Sequence, residues 1–221
     1  MRVISWNLLH RVGAEPRDVA ALIEAFQPDL LLMQEATEGM AALRSLCGGW
    51  YFRAPFPGRR YGVAVWSRHC FAEPALLRLP ASVIPGRVPP RLAQLIRMDG
   101  MTIANVHLSH GQVLNRLQLR YISRHVAGPA AIIGDYNAVG PIRLSGFRDI
   151  GPRQTTCRAS SVIPFRLDRC MVRAVNGTET GVLRRGMSDH HPIRIRLTSD
   201  TIAQPADPAP IPLARESLSR P

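Results

Sequence analysis

The chain has 221 residues, 46% of them hydrophobic and 20% charged, a composition that suits one domain with a full core and excludes a disordered polymer. Its 28 basic residues are all arginine and face 16 acidic ones, for a formal net charge of +12. That excess favours an anionic partner: nucleic acid, an acidic membrane surface or a phosphorylated small molecule. No apolar run approaches the ~20 residues that span a bilayer. Cys47, Cys70, Cys157 and Cys170 contain no CxxC pair. With no export signal read in MRVISWNLLHRV, they are expected to be free thiols in the cytoplasm, with neither a disulfide framework nor a zinc knot.

In chain order, RVISWNLL reads as a strand. EPRDVAALIEAF places Val19, Leu22, Ile23 and Phe26 at helical spacing, with Pro16 suited to a first turn. QPD stops that helix, and DLLLMQEA follows as a short buried strand. YGVAVWSRH is a further strand. LAQLIRM and MTIANVHL flank Asp99-Gly100, a two-residue turn of the kind that joins a hairpin. VLNRLQLRYISRHV reads as a helix, PAAIIGDYNAV as a buried strand entering a polar loop, and FRLDRCMVRAV and PIRIRLT as the last strands. Strands with interspersed helices predict an α+β sandwich. Residues 1–198 are expected to form the domain, and the proline-rich stretch 199–221 to be an extended, disordered tail.

Polar residues cluster at the edges of apolar segments. Asn7 ends RVISWN, Glu35 ends LLLMQE, His107 ends TIANVH, and Asp135 and Asn137 end AIIGDYN. Asp168 interrupts FRLDRCMV, and Asp189 and His190 precede the last strand. Each alone has a structural explanation as a turn, cap, ion-pair or core residue. Burying one unpaired carboxylate is costly, whereas several that converge can share a cation and bond to one another.

The ordered set SWN, MQE, YGVAVWSR, NVHL, GDYN, RLDR and SDHHPI resembles the endonuclease/exonuclease/phosphatase superfamily, the deoxyribonuclease I-like hydrolases, over about residues 1 to 198. The resemblance implies a four-layered α/β/β/α sandwich of two mostly antiparallel sheets flanked by helices. It also implies hydrolysis of phosphoesters with Mg²⁺, for which Mn²⁺ is a possible substitute. Glu35 is the expected metal ligand, with Asn7 and Asp189 as supporting or outer ligands; hard cations take few protein oxygens and keep water and phosphate. Asp135 matches the aspartate that orients or deprotonates water, and Asn137 a residue that bonds phosphate or aligns that water. His190, paired with Asp168, would act as acid, base or positive clamp, and His107 would hold a phosphate oxygen or protonate the leaving group. His110 and His191 have no matching role.

Departures bear on substrate. NVHLSHG stands where abasic-site endonucleases carry a tyrosine and a PNG-like segment, and Arg169 follows Asp168 where an aromatic residue or histidine is more usual. GPRQTTCRASSVIPFRLDR resembles a threonine-cysteine segment of compact bacterial members. Residues 143–185 hold nine arginines against Asp149, Asp168 and Glu179; facing the cleft, they would hold a second phosphate or a nucleic-acid backbone. A nuclease acting on DNA or RNA is the leading expectation. The alternatives are a phospholipid or small-phosphoester hydrolase, possible at a membrane surface, and a non-catalytic anion-binding module. A monomer is slightly favoured.

Overall fold

The computed structural model describes residues 1–82, 88–159 and 163–199. Strand β1 (Arg2–Asn7) leads through helix α1 (Pro16–Phe26) to β2 (Leu30–Thr37). A 3₁₀ turn and helix α2 (Leu43–Cys47) precede β3 (Trp50–Pro55), β4 (Tyr61–Ser67), β5 (Ala75–Arg78), β6 (Leu92–Met98) and β7 (Met101–His107). Helix α3 (Leu114–His125) and β8 (Ala130–Asp135) follow. The chain then continues through β9 (Arg148–Asp149), β10 (Cys157–Ala159), β11 (Ile163–Phe165), β12 (Asp168–Arg173), β13 (Val175–Val182) and β14 (Ile193–Ser199).

One six-stranded sheet has the order β13-β14-β1-β2-β4-β3, and the other β5-β6-β7-β8-β12-β9. Each contains a single parallel pair, β1 with β2 and β7 with β8, among antiparallel neighbours. The period-2 alternation of β2 separates the layers. Leu30 and Leu32 enter the core between the sheets, with Val3, Val65, Ile103, Ile133 and Val172. Leu31 and Met33 face the opposite way, onto Val19, Leu22, Ile23 of α1 and Leu43 of α2. On the far side, Leu119 and Ile122 of α3 cover Ala104 and Ile132. The result is the four-layered sandwich. Each fully buried leucine, isoleucine or valine contributes about 1.5–3 kcal/mol.

Local signals behave as their chemistry requires, with exceptions. Pro16 opens α1 inside a capping box between Glu15 and Asp18, and Gln27 closes it in the left-handed conformation. Asp99 and Gly100 both have positive φ and join β6 to β7. Phe26, expected on the buried face of α1, is 41% exposed, because that face is already filled by Val19, Leu22 and Ile23. Strands β3 and β13 had no sequence signal, since both lie at sheet edges with mostly exposed or half-buried residues. Ser199 still belongs to β14. The rest of the proposed tail, 200–221, lies outside the described residues.

Candidate active site

Topology explains why the polar residues meet. Parallel β1 and β2 bring the ends of both strands to one edge, as do parallel β7 and β8. Antiparallel β12 begins where β8 ends, so Asp168 lies opposite Asp135. Antiparallel β14 begins beside the end of β1, and Ser188 donates its hydroxyl to Asn7 O at 2.7 Å while Trp6 Nε1 donates to His190 O at 3.0 Å.

Asp135 is the centre, 1% exposed. Its Oδ2 accepts from Asn7 Nδ2 at 3.0 Å, across the two sheets, and its Oδ1 accepts from Asn137 N at 2.9 Å. His107 Nε2 lies 3.5 Å and His190 Nε2 3.8 Å from Asp135 Oδ2. Burial pushes the Asp135 carboxyl up and the charge of nearby Asp168 adds to this, against an opposing pull from His190. Glycine is required just before it. Gly134 has φ +142°, and a Cβ there would lie 2.0 Å from Val106 O.

The two histidines are driven in opposite directions. For His190, burial works against the cation, but the carboxylates of Asp168 and Asp135 outweigh it and hold the ring well above its ordinary pKa. Its Nδ1 donates to Asp168 Oδ2 at 2.8 Å. For His107, burial and the neighbouring Arg91 cation both disfavour protonation and hold the ring well below its ordinary pKa. Arg91 can only donate, and its Nη1 lies 3.4 Å from His107 Nδ1. The neutral ring therefore carries its proton on Nε2, facing Asp135.

Glu35 reaches the edge by a β-bulge. The β2–β4 register shifts between Gln34 and Ala36, and Glu35 has φ +56°. Ala36 thereby takes the outward core position that strict alternation would give Glu35. Glu35 Oε2 accepts from His10 N at 3.0 Å and closely contacts His10 Nδ1, and that imidazole stacks on Tyr61 with centroids 3.8 Å apart. Both contacts from His10 go to Oε2, which leaves Oε1 as the hard oxygen on offer to a cation. Glu35 belongs to neither of the two tight clusters of potential metal-ligating side chains, which are Asp135–Asp168–His190 and Cys157–Asp189–His190. Asp189 thus sits with His190 and Cys157, and its buried Oδ1 has no hydrogen-bond partner among the described residues. Asn7 Oδ1 accepts from Leu9 N at 3.2 Å. Asn137, at φ +48°, donates Nδ2 to Leu108 O at 2.9 Å.

Several participants carried no sequence signal. Arg91 precedes β6, which runs antiparallel to β7, so it lies beside the end of β7 although it stands at a strand's beginning. It is buried with its guanidinium 4.8 Å over the Phe56 ring. Beneath the site, Gln34 donates to Ser5 Oγ at 3.0 Å and Asn105 Oδ1 at 2.8 Å, and Asn105 donates to Gln94 Oε1 at 3.0 Å. These amides look like core interruptions in sequence; in the fold they tie the sheets together under Asp135. His10 carries no sequence signal either, because it lies in the loop beyond Asn7.

The fold and this edge define a two-sheet sandwich whose carboxylates and imidazoles converge at one edge. The chain belongs to the Endonuclease/Exonuclease/phosphatase family, which matches residues 4–190. Members of that family hydrolyse phosphoester bonds and generally depend on divalent metal. A humanized D. rerio TDP2 is similar at 17% identity and TM-score 0.69, with 90% of this chain and 99% of that one covered. The human Nocturnin catalytic domain with bound sulfate is similar at 21% identity and TM-score 0.67, covering 90% and 94%. An endonuclease/exonuclease/phosphatase from Beutenbergia cavernae is similar at 21% identity and TM-score 0.68, covering 89% and 71%. A sequence search of curated proteins finds no match. Among the described residues, no helix is long and apolar enough to cross a membrane.

Proposed function

We propose that the chain is a Mg²⁺-dependent phosphodiesterase whose leading substrate class is nucleic acid. The observation that carries this reading is Asp135, buried between Asn7 and the Asn137 backbone, with one neutral and one cationic imidazole 3.5 Å and 3.8 Å away. A raised carboxyl pKa suits Asp135 to accept a proton from water, and its two fixed hydrogen bonds aim it. Cationic His190, oriented by Asp168, offers positive charge to a phosphate oxygen as negative charge develops there. His107 stays neutral and positions its Nε2–H beside Asp135, with Arg91 as a cation behind it. Asn137 helps align water or phosphate.

The donors fit a hard divalent ion. Glu35 would hold it through Oε1, with Asn7 and Asp189 supporting, and water and phosphate completing the shell. When bound, the ion would supply Lewis-acid stabilisation of the phosphate and leaving oxygen.

Charge favours nucleic acid over lipid. The net charge is +12, and a cavity of about 640 Å³ is lined by Arg148, Arg153, Arg166, Arg169 and Phe165, with Asp149 among them. Not all of the 143–185 arginines are available. Arg166 pairs bidentately with Asp149, Arg169 with Asp149 and Gly140 O, and Arg173 with Val126 O and Gly128 O. Arg153 also pairs with Asp149, at 3.7 Å, but its side chain is 73% exposed and can still reach a backbone phosphate. One structural neighbour, D. rerio TDP2, is described in complex with a single-strand DNA product.

The test is hydrolysis of DNA, RNA, phospholipid vesicles and an aryl phosphodiester, with Mg²⁺ or with EDTA. EDTA-sensitive cleavage of nucleic acid that weakens with salt, lost in Asp135→Ala and His190→Ala, is expected. Activity confined to vesicles would overturn the substrate class. No cleavage of any phosphodiester, or full activity in both variants, would overturn the whole reading.

A further inference from the structure

The strap that carries Cys157 is zipped onto the loop that carries His190. Arg158 N donates to Asp189 O at 3.0 Å, His191 N donates to Thr156 O at 2.7 Å, and Cys157 and His190 form an antiparallel bridge. Thr156 Oγ1 also accepts from Leu167 N and Asp168 N at 3.0 Å and 2.9 Å, so the same strap fixes the partner of His190. One consequence is a second cluster beside the hydrolytic one. A Cys157 sulfur, an Asp189 oxygen and a His190 nitrogen lie within 4.8 Å of one another. Cys157 is 3% exposed, and the buried Asp189 Oδ1 has no hydrogen-bond partner among the described residues. Asp189 itself is only half-buried, which leaves a route from solvent. Nothing in the proposed hydrolysis uses the thiol.

The donor set is soft-to-borderline: one thiolate, one imidazole and one carboxylate. Magnesium avoids sulfur, whereas zinc-class ions take all three donors. Tetrahedral zinc would hold such donors about 3.3–3.7 Å apart, given its bond lengths of about 2.0–2.3 Å. The donors, within 4.8 Å of one another, must draw together to reach that spacing, and three protein donors leave the fourth position of a tetrahedral ion to water.

We propose that Cys157, Asp189 and His190 form a second, thiolate-containing site for a zinc-class divalent cation, sharing Asp189 and His190 with the hydrolytic machinery, and that filling it inhibits hydrolysis by engaging His190. The ion replaces the thiol proton and any proton on the coordinating ring nitrogen, and both leave to solvent. A scarce soft metal would thus act against an abundant hard one. The inhibitory half rests on the hydrolase reading; the binding half does not.

The test uses the full chain with Co²⁺ as a spectroscopic probe and Zn²⁺ as competitor. One equivalent of Co²⁺ should give a thiolate charge-transfer band that Zn²⁺ removes. The band should persist in a Cys47→Ser/Cys70→Ser variant and vanish in Cys157→Ser. Zn²⁺ affinity should fall at least ~10-fold in Cys157→Ser, since even loss of an outer-shell partner costs that much. If Cys157→Ser does not fold, alkylation of the native chain serves instead: Zn²⁺ should protect Cys157, mapped by mass spectrometry, while excess Mg²⁺ should not. Absence of the band, its survival without Cys157, or alkylation of Cys157 indifferent to Zn²⁺ overturns the site. With binding established, Zn²⁺ inhibition not relieved by excess Mg²⁺ is expected. Bound Zn²⁺ with an unchanged hydrolysis rate would overturn the inhibitory half alone, and absence of hydrolysis without Zn²⁺ would instead count against the proposed function.

Discussion

Asp168→Asn removes one charge from the site and keeps its shape. Asp168 is fully buried and accepts the His190 Nδ1 proton at 2.8 Å. Burial, the largest single influence on His190, opposes its charge, and the Asp168 carboxylate is the first influence that overcomes it. Without that carboxylate the ring pKa should fall, so the imidazole should be largely neutral in the pH range where it is now cationic. A charge-assisted hydrogen bond is worth about 1.5–3 kcal/mol, so the hydrolytic rate should drop about 10- to 100-fold. The assay is the Mg²⁺-supported rate on an aryl phosphodiester across pH, with the His190 ring titrated by NMR in both proteins. Stability should respond with a definite sign. In the native chain, the raised His190 pKa contributes stability that is complete below the unfolded value near 6.5 and is lost as pH rises through the folded value. Asp168→Asn should shrink that alkaline loss. A variant whose rate is within about threefold of native, too small for loss of this bond, and whose His190 stays protonated at neutral pH would refute the coupling.

Other outcomes follow from the same geometry. His107→Asn should flatten the acid side of the stability profile. The lowered pKa of the native ring keeps it neutral in the fold while the unfolded chain takes up a proton below about pH 6.5, which costs up to ~1.4 kcal/mol per pH unit in denaturant titrations. An unchanged acid slope would show that His107 does not titrate as described. Gly134→Ala should destabilise the fold by about 3 kcal/mol or more, from a Cβ 2.0 Å from Val106 O at φ +142°. That corresponds to a Tm lower by about 6–12 °C, and an unaltered Tm would contradict the packing. Glu35→Gln should weaken Mg²⁺ binding at least ~10-fold by calorimetry; native-like binding would move the ion elsewhere. His191→Ala should keep nearly native activity, because its Nδ1 bonds only to Leu183 O among the described residues. A loss equal to that of His190→Ala would end the division of roles between the two rings.

How much was legible follows from range along the chain. The period of apolar residues in β1, β2, β7 and β8, the Asp99-Gly100 turn and the proline-led start of α1 are set by neighbours a few residues apart. Polar residues terminating apolar runs also stand out locally, because a carboxylate there has no apolar role. Asn7, His107, Asp135, Asn137, Asp168 and His190 were visible on that ground, and the fold brings them to one edge. Their order in the chain further carries the family resemblance.

Only the tertiary structure decided what each of these groups faces. Asn7 and Asp135 are 128 residues apart and belong to different sheets, yet share a 3.0 Å bond. His107 is held neutral by burial and by Arg91, which no rule about strand ends could select, since antiparallel pairing delivers a strand's beginning to that place. Glu35 points where it does because one bulged residue breaks the alternation of β2. Cys157 met no partner in sequence, and lies with Asp189 and His190 because a short bridge closes a loop of more than thirty residues. Residue type and local period come from the chain; charge state and coordination come from neighbours that only folding supplies, because both depend on burial and on distances of a few ångströms.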